Sequence, residues 1–170
     1  MSSHIEVARA WAQRNATTAT VGYAMQHDGT AIYSWGRHFM IARHIRGLDG
    51  KDYTLYTMRD YSSSTAKHKS VVRNVLDWGS TIIVPDPATF NVVDSEKWDE
   101  HLMLAAGQAY REIMALLPTI YLRYKRARVW KNATAHEYKR MLDNMQRLCD
   151  AFLITMTAEL PEDIKQEIGG

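Results

Sequence analysis

YSSSTAKHKS, residues 61–70, gathers a tyrosine, four serines, a threonine, two lysines and a histidine into ten positions. With Arg37 and His38 upstream, this set can hold an oxyanion. A helix N-terminus offers free amide donors and a partial positive charge, and hydroxyls, imidazole and guanidinium complete the shell. The candidate anion or ligand site is therefore Arg37, His38, Ser64, Thr65, Lys67 and His68. A plainer description fits the same letters: a serine caps a helix, Tyr61 anchors the loop, and His68 sits above Val71, Val72 and Val75 as a hydrogen-bonded core histidine. Dividing the segment, Tyr61 and His68 read as structural, whereas Arg37, Ser64 and Lys67 read as exposed enough to touch a ligand. Catalysis is the weaker use of these residues. A two-histidine phosphodiesterase needs His-x-Ser/Thr at both sites; His68-Lys69-Ser70 fits and His38-Phe39-Met40 does not. No Gly-x-Ser-x-Gly elbow pins a serine nucleophile. A metal is not implied, because on one strand His38 and His44 stand about 20 Å apart.

A second cluster is YLRYKRARVWK, residues 121–131. Arg123, Lys125, Arg126, Arg128 and Lys131 can contact phosphates, while Tyr124 and Trp130 can stack on bases, which is how single-stranded nucleic acid is held. The alternative is a solvated helix end whose cations meet the C-terminal dipole, with its aromatics packed inward. A third feature is the methionine-rich face Met141, Leu142, Met145, Leu148, Phe152 and Met156. It suits packing against residues 95–117, and it can also pair two copies of the chain through their C-terminal helices.

Elements must place these residues. Ser3 with Glu6 forms a capping box, and Ile5, Ala8, Trp11 and Ala12 follow at helical spacing, predicting a helix over 4–14. From Thr18 the period becomes two, through Val21, Tyr23 and Met25. The turn His27-Asp28-Gly29 leads to TAIYSW, Gly36 interrupts, and HFMIARHI and DYTLYTM complete four antiparallel strands over 18–59. In HFMIARHI the alternation sets Phe39, Ile41 and Ile45 against His38, Met40, Ala42 and His44. A helix over 63–78 follows, closed by Gly79, and TIIV joins the sheet. Residues 95–117 present Leu102, Ala105, Ala106, Ala109, Ile113 and Leu116 on one face, Pro118 breaks or kinks that helix, and 119–130 continue it. Thr134 with Glu137 is a second capping box, opening a helix that runs to Pro161. The fold class is α+β: an antiparallel sheet of four to five strands with packed helices, then a helical half built as a long antiparallel pair. The organisation is 1–93 for the sheet with its helices and 94–170 for the helical hairpin packed on it.

The chain has 170 residues, 46% hydrophobic and 24% charged, as expected of a globular domain. A net charge of +2, from 21 basic and 19 acidic residues, excludes a surface that is basic throughout and makes nucleic-acid binding local. Residues 1–79 carry 10 basic and 6 acidic groups, the remainder 11 and 13. One cysteine, Cys149, excludes an internal disulfide and a zinc site built on cysteine pairs. With no secretory h-region and no apolar run of about 20 residues, the expected location is the cytoplasm of the host cell, without membrane contact.

Two blocks also carry a resemblance. SWGRHFMIA at 34–42 and RDYSSSTAKHKSVV at 59–72 are similar to a family of small uncharacterised phage and mobile-element proteins. Its members show Ser-aromatic-Gly-x-His-Phe-x-Ile-Ala, then Asp-x-Tyr-Ser-x-Ser/Thr-Thr-x-x-His-x-Ser. Ser34, Gly36, His38, Phe39, Ile41 and Ala42 match the first block, with Trp35 where tyrosine is common and Met40 where proline is common. Asp60, Tyr61, Ser62, Ser64, Thr65, His68 and Ser70 match the second. The resemblance covers about the first 80 residues and implies a phage or mobile-element origin without an activity. The combined expectation is a small intracellular, non-catalytic accessory protein that binds DNA or RNA or a host nucleic-acid-handling complex. Two alternatives stand beside it: a host-defence inhibitor acting purely by protein contact, and a phosphate- or nucleotide-binding or phosphodiesterase-like enzyme using His38 and His68. No cofactor is implied.

Overall fold

Ser3 opens the first helix, α1 (His4–Ala12), through a complete capping box: its hydroxyl accepts from the Glu6 amide and the Glu6 carboxylate accepts from its own. The structure, a computed structural model, describes residues 3–15, 19–21, 24–92 and 95–169. The chain divides into two compact units, Met1–Val93 and Asp94–Gly170.

In the first unit six strands follow in chain order across one sheet: β1 (Ala19–Val21), β2 (Met25–His27), β3 (Ala31–Ser34), β4 (Phe39–Arg46), β5 (Asp52–Thr57) and β6 (Thr81–Val84). Three departures from the expected sheet have physical causes. First, the strand expected from residue 18 is a tight hairpin, Ala19 pairing with His27 and Val21 with Met25, so that β1 and β2 replace one continuous strand. Thr18 and Tyr23, both expected in that strand, lie outside the described residues. Second, β6 runs parallel to β5, because α2 (Ser63–Arg73) carries the chain back before TIIV pairs with Thr54–Thr57; the sheet is mostly, not wholly, antiparallel. Third, β4 is bulged at Ile41: Ala42 pairs with Ile32 and Met40 with Tyr33, leaving Ile41 without a partner. The extra residue reverses the alternation. Phe39 and Ile41 face α1 and α2, but so do Ala42 and His44, whereas Arg43 and Ile45 take the other face. His38 is not on the strand at all; it lies in the turn Trp35–His38, where Trp35 and Gly36 have φ of 57° and 66°.

The core between helices and sheet joins Val7, Ala8 and Trp11 of α1 to Met25, Ile32, Ile41, Ala42, Tyr56 and Val72 of α2. The Trp11 ring stacks on His44 at 4.3 Å and its indole N–H donates to the Thr30 carbonyl. His44 Nε2 donates to the Trp11 carbonyl at 2.9 Å, which leaves Nδ1 to accept from the Thr54 hydroxyl at 3.1 Å. Burial holds this imidazole below its ordinary pKa, so it is neutral, as one donor and one acceptor require.

The second unit is helical. A 3-10 turn at Ser95–Lys97 leads into α3 (Trp98–Met114), followed by α4 (Leu117–Arg126), α5 (Lys131–Phe152) and α6 (Glu162–Gly169). α3 buries Leu102, Ala105, Ala106, Ala109 and Ile113; Leu116, expected on that face, is exposed. Pro118 starts α4, where its missing N–H costs nothing. α4 and α5 run antiparallel, as Lys131 beside Tyr124, Arg123 beside Glu137 and Tyr121 beside Tyr138 require. The expected Thr134/Glu137 capping box does not form. α5 begins four residues earlier than a cap at Thr134 would place it, Thr134 donates its hydroxyl to the Trp130 carbonyl, and Glu137 pairs with Arg123 at 2.6 Å. Nor does α5 reach Pro161: Leu153 turns left-handed at φ 56° and ends it, and Pro161 instead precedes α6. Leu142, Met145, Leu148 and Phe152 are buried within the chain and Met156 lies beyond the helix, so the apolar face of α5 packs internally. Cys149 is buried too, its thiol pushed up to about 11 by burial, and is inert at neutral pH. No helix among the described residues is long and apolar enough to cross a membrane.

Candidate functional site

Two residues of segment 61–70, Thr65 and His68, turn into the core. Ser62 is the N-cap of α2, accepting from the Thr65 amide at 3.2 Å and donating to the Thr65 hydroxyl at 3.0 Å. Thr65 and Ser34 are fully buried and 3.4 Å apart, and Ser34 Oγ shares a 2.7 Å hydrogen bond with His68 Nδ1. His68 is 5% exposed, with the His4 ring 4.7 Å away edge-on and Trp35 beyond it. Burial, reinforced by His4, lowers its pKa. The Trp35 indole N–H donates to Ser64 Oγ at 3.1 Å, so this hydroxyl also serves to tie the β3–β4 turn to the helix start.

Of the six residues expected to form an anion site, Thr65 and His68 meet in this buried network and Ser64 stands at its edge. Lys67 is exposed on α2. Arg37 goes elsewhere: it lies over the Tyr33 ring at 5.8 Å and pairs with Asp28 at 3.8 Å, on the side of the sheet to which Tyr33, not Ser34, points. His38 is exposed in the turn. His38 and His68 therefore do not face one phosphodiester, and Ser34 beside His68 is shut from solvent with no carboxylate orienting the imidazole among the described contacts. Tyr61, expected as a loop anchor, is 79% exposed and touches Phe39 only at 6.1 Å between ring centres. The two sequence blocks do meet at a cavity of about 320 Å³ lined by Ser34, Trp35, His38, Phe39, Arg59, Asp60 and Tyr61. There Lys69 Nζ donates to Asp60 and to the Arg59 carbonyl, which neutralises the carboxylate and holds it below its ordinary pKa.

Segment 121–131 divides. Tyr124 is buried and donates its hydroxyl to the Asp163 carbonyl at 3.0 Å; Tyr121 donates to the Asp163 carboxylate, and Lys125 pairs with it at 2.9 Å. Arg123 is taken by Glu137. Asp163, 38 residues from Lys125, is the residue that sequence reasoning missed here; Pro161 followed by two acids, the pattern of a helix start, was its signal. What remains outward is the tip between α4 and α5. Trp130 is 74% exposed, preceded by exposed Val129, and Arg126 and Arg128 have no acidic partner among the described residues. Lys131 lies over the Tyr124 ring at 5.1 Å, with no acidic partner among the described residues.

Among the described residues no group of three His, Cys, Asp or Glu side chains can hold a metal ion. In comparisons with known proteins the chain matches no family model, no curated protein and no solved structure.

Proposed function

We propose that the protein is a non-catalytic binding protein of phage or mobile-element type, and that the tip Arg126–Lys131 contacts nucleic acid, single strands above all. One observation carries the reading: Trp130 stands out at 74% exposure among cations that no carboxylate neutralises. An exposed indole can stack on any base, and arginines beside it reach the flanking phosphates. Glu137 and Asp163, two acidic groups on the helices beside the tip, are paired with Arg123 and Lys125.

The reading has a number attached. Only Arg126, Arg128 and Lys131 are available for phosphates, so a single strand bound here releases few counterions, and log K against log salt should fall with a slope of about −2. Titrating labelled single- and double-stranded DNA and RNA between low and moderate salt tests this. A slope near −2 with preference for single strands is expected, and affinity independent of salt contradicts it. Exposed Val129 beside Trp130 favours a second reading, in which the same tip docks on a host nucleic-acid-handling protein. Absence of all oligonucleotide affinity, with capture of one host protein that Trp130→Ala abolishes, selects that reading.

A further inference from the structure

On the sheet face turned away from α1 and α2 lies a larger cavity, about 530 Å³, lined by Asp28, Thr30, Tyr33, Arg37, Met40, Arg43 and Asn91 among others. Its volume is in the range of small-molecule sites, about 300–1,000 Å³. Arg43 is the residue that makes it unusual. It sits in the middle of β4, with Ala31 opposite it on β3 and Leu55 on β5, so its backbone is occupied by the ladder and it can offer the cavity only its side chain. The Nε of that side chain is buried without any hydrogen-bond partner, and Arg43 has no ion pair among the described residues. Burial lowers its pKa, opposed in part by Tyr33 and then by Asp28.

Asp28 does not answer this charge, because its carboxylate is committed elsewhere. Oδ1 accepts from the Thr30 and Ala31 amides at 3.0 and 2.8 Å, and Oδ2 accepts from the Tyr33 hydroxyl and lies 3.8 Å from Arg37. A partly buried guanidinium with no counter-charge is costly to keep in a folded sheet, and an arginine is the side chain best matched to a carboxylate or phosphate. The bulge at Ile41 is what turns Arg43 to this face at all, since unbroken alternation from Phe39 would place Ile41, Arg43 and Ile45 with Phe39 under the helices.

We propose that this cavity binds a small organic oxyanion, its phosphate or carboxylate head held by Arg43 and Arg37 and its body resting on Met40 and Tyr33. The site is independent of the tip at 126–131.

The test is an NMR titration of the full chain with three probes: inorganic phosphate, adenosine monophosphate and succinate. At least one probe should shift the Thr30, Ala31 and Arg43 amides and the Arg43 Nε–Hε resonance in a saturable way. Arg43→Gln should weaken that affinity by at least about tenfold, since a charge-assisted hydrogen bond is lost. Binding by both phosphate-bearing probes assigns the head as a phosphate; binding by succinate alone assigns it as a carboxylate. No shift at these resonances with any probe, shifts confined to residues 121–131, or undiminished binding by Arg43→Gln overturns the proposal. If Arg43→Gln does not fold, the wild-type Arg43 Nε–Hε resonance decides: it must move with the bound probe.

Discussion

Residues 61–70 and 121–131 are both rich in side chains that can hold a phosphate, mostly hydroxyls in the first and mostly cations in the second, and the fold uses them differently. In the first, Thr65 and His68 are buried and the neighbouring hydroxyls are tied up: Ser62 is spent on Thr65, His68 on Ser34, and Ser64 on the Trp35 indole. The second is half spent, Tyr121, Arg123, Tyr124 and Lys125 on Asp163 and Glu137, and half turned out, with Trp130, Arg126 and Arg128 facing solvent. Residue type says what a segment is able to bind. Direction decides what it does bind, and direction is set by partners remote in sequence.

The largest expected effect that sharpens this contrast is on stability in the inward region. His68→Ala strands the Ser34 hydroxyl and opens a void, costing roughly 1–3 kcal/mol and lowering Tm by several degrees in a chain this size. Nucleic-acid affinity should be unchanged, so a variant that keeps its Tm but loses affinity breaks the comparison. Next, Ser62→Ala removes the α2 cap and should cost about 1 kcal/mol by denaturant unfolding.

Acid should act through the same inward groups. Burial places the folded pKa of His27, His44 and His68 below their ordinary value of 6.5. The unfolded chain therefore takes up protons first as pH falls through 6.5, so stability is full above that point and is lost progressively towards the lower folded values. Tm measured from pH 7.5 down to 5 should fall, and His68→Asn should flatten part of the decline. A Tm that rises on acidification contradicts neutral buried histidines.

These predictions rest on features of unequal legibility. The Ser3/Glu6 box, the turn at Asp28-Gly29 and the apolar stripe of α3 could be read directly, because each is local and within one turn or one period. The bulge at Ile41 could not: HFMIARHI alternates acceptably in either phase, and only pairing with β3 and burial of Ala42 under α1 and α2 select the shifted one. The Thr134/Glu137 box misled for a related reason. Glu137 gains a guanidinium from α4, a long-range partner that outcompetes a local amide, and the helix extends back to Lys131 without a side-chain cap. In the candidate sites, the inward fate of His68 could be anticipated from the valines that follow it. Arg43 could have been noticed as a charge in mid-strand, flanked by Ala42 and His44, but its lack of a partner is visible only once Asp28 is seen to be occupied.

A smaller effect separates tip from scaffold. Arg126→Ala with Arg128→Ala should leave stability within about 0.5 kcal/mol, since neither makes an ion pair among the described residues, while reducing the salt slope of single-strand binding from about −2 to about −0.7. Loss of several degrees in Tm would mean that these arginines belong to the scaffold after all.

The most direct measurement places one variant from each region side by side: anisotropy titrations of a fluorescent single-stranded oligonucleotide with wild type, Trp130→Ala and His68→Ala at one low salt concentration and a temperature where all three are folded. The account predicts that Trp130→Ala weakens binding by about ten- to a hundredfold through the lost stacking platform, while His68→Ala binds as wild type does. Equal affinity of Trp130→Ala and wild type, or loss of binding in His68→Ala alone, would contradict it.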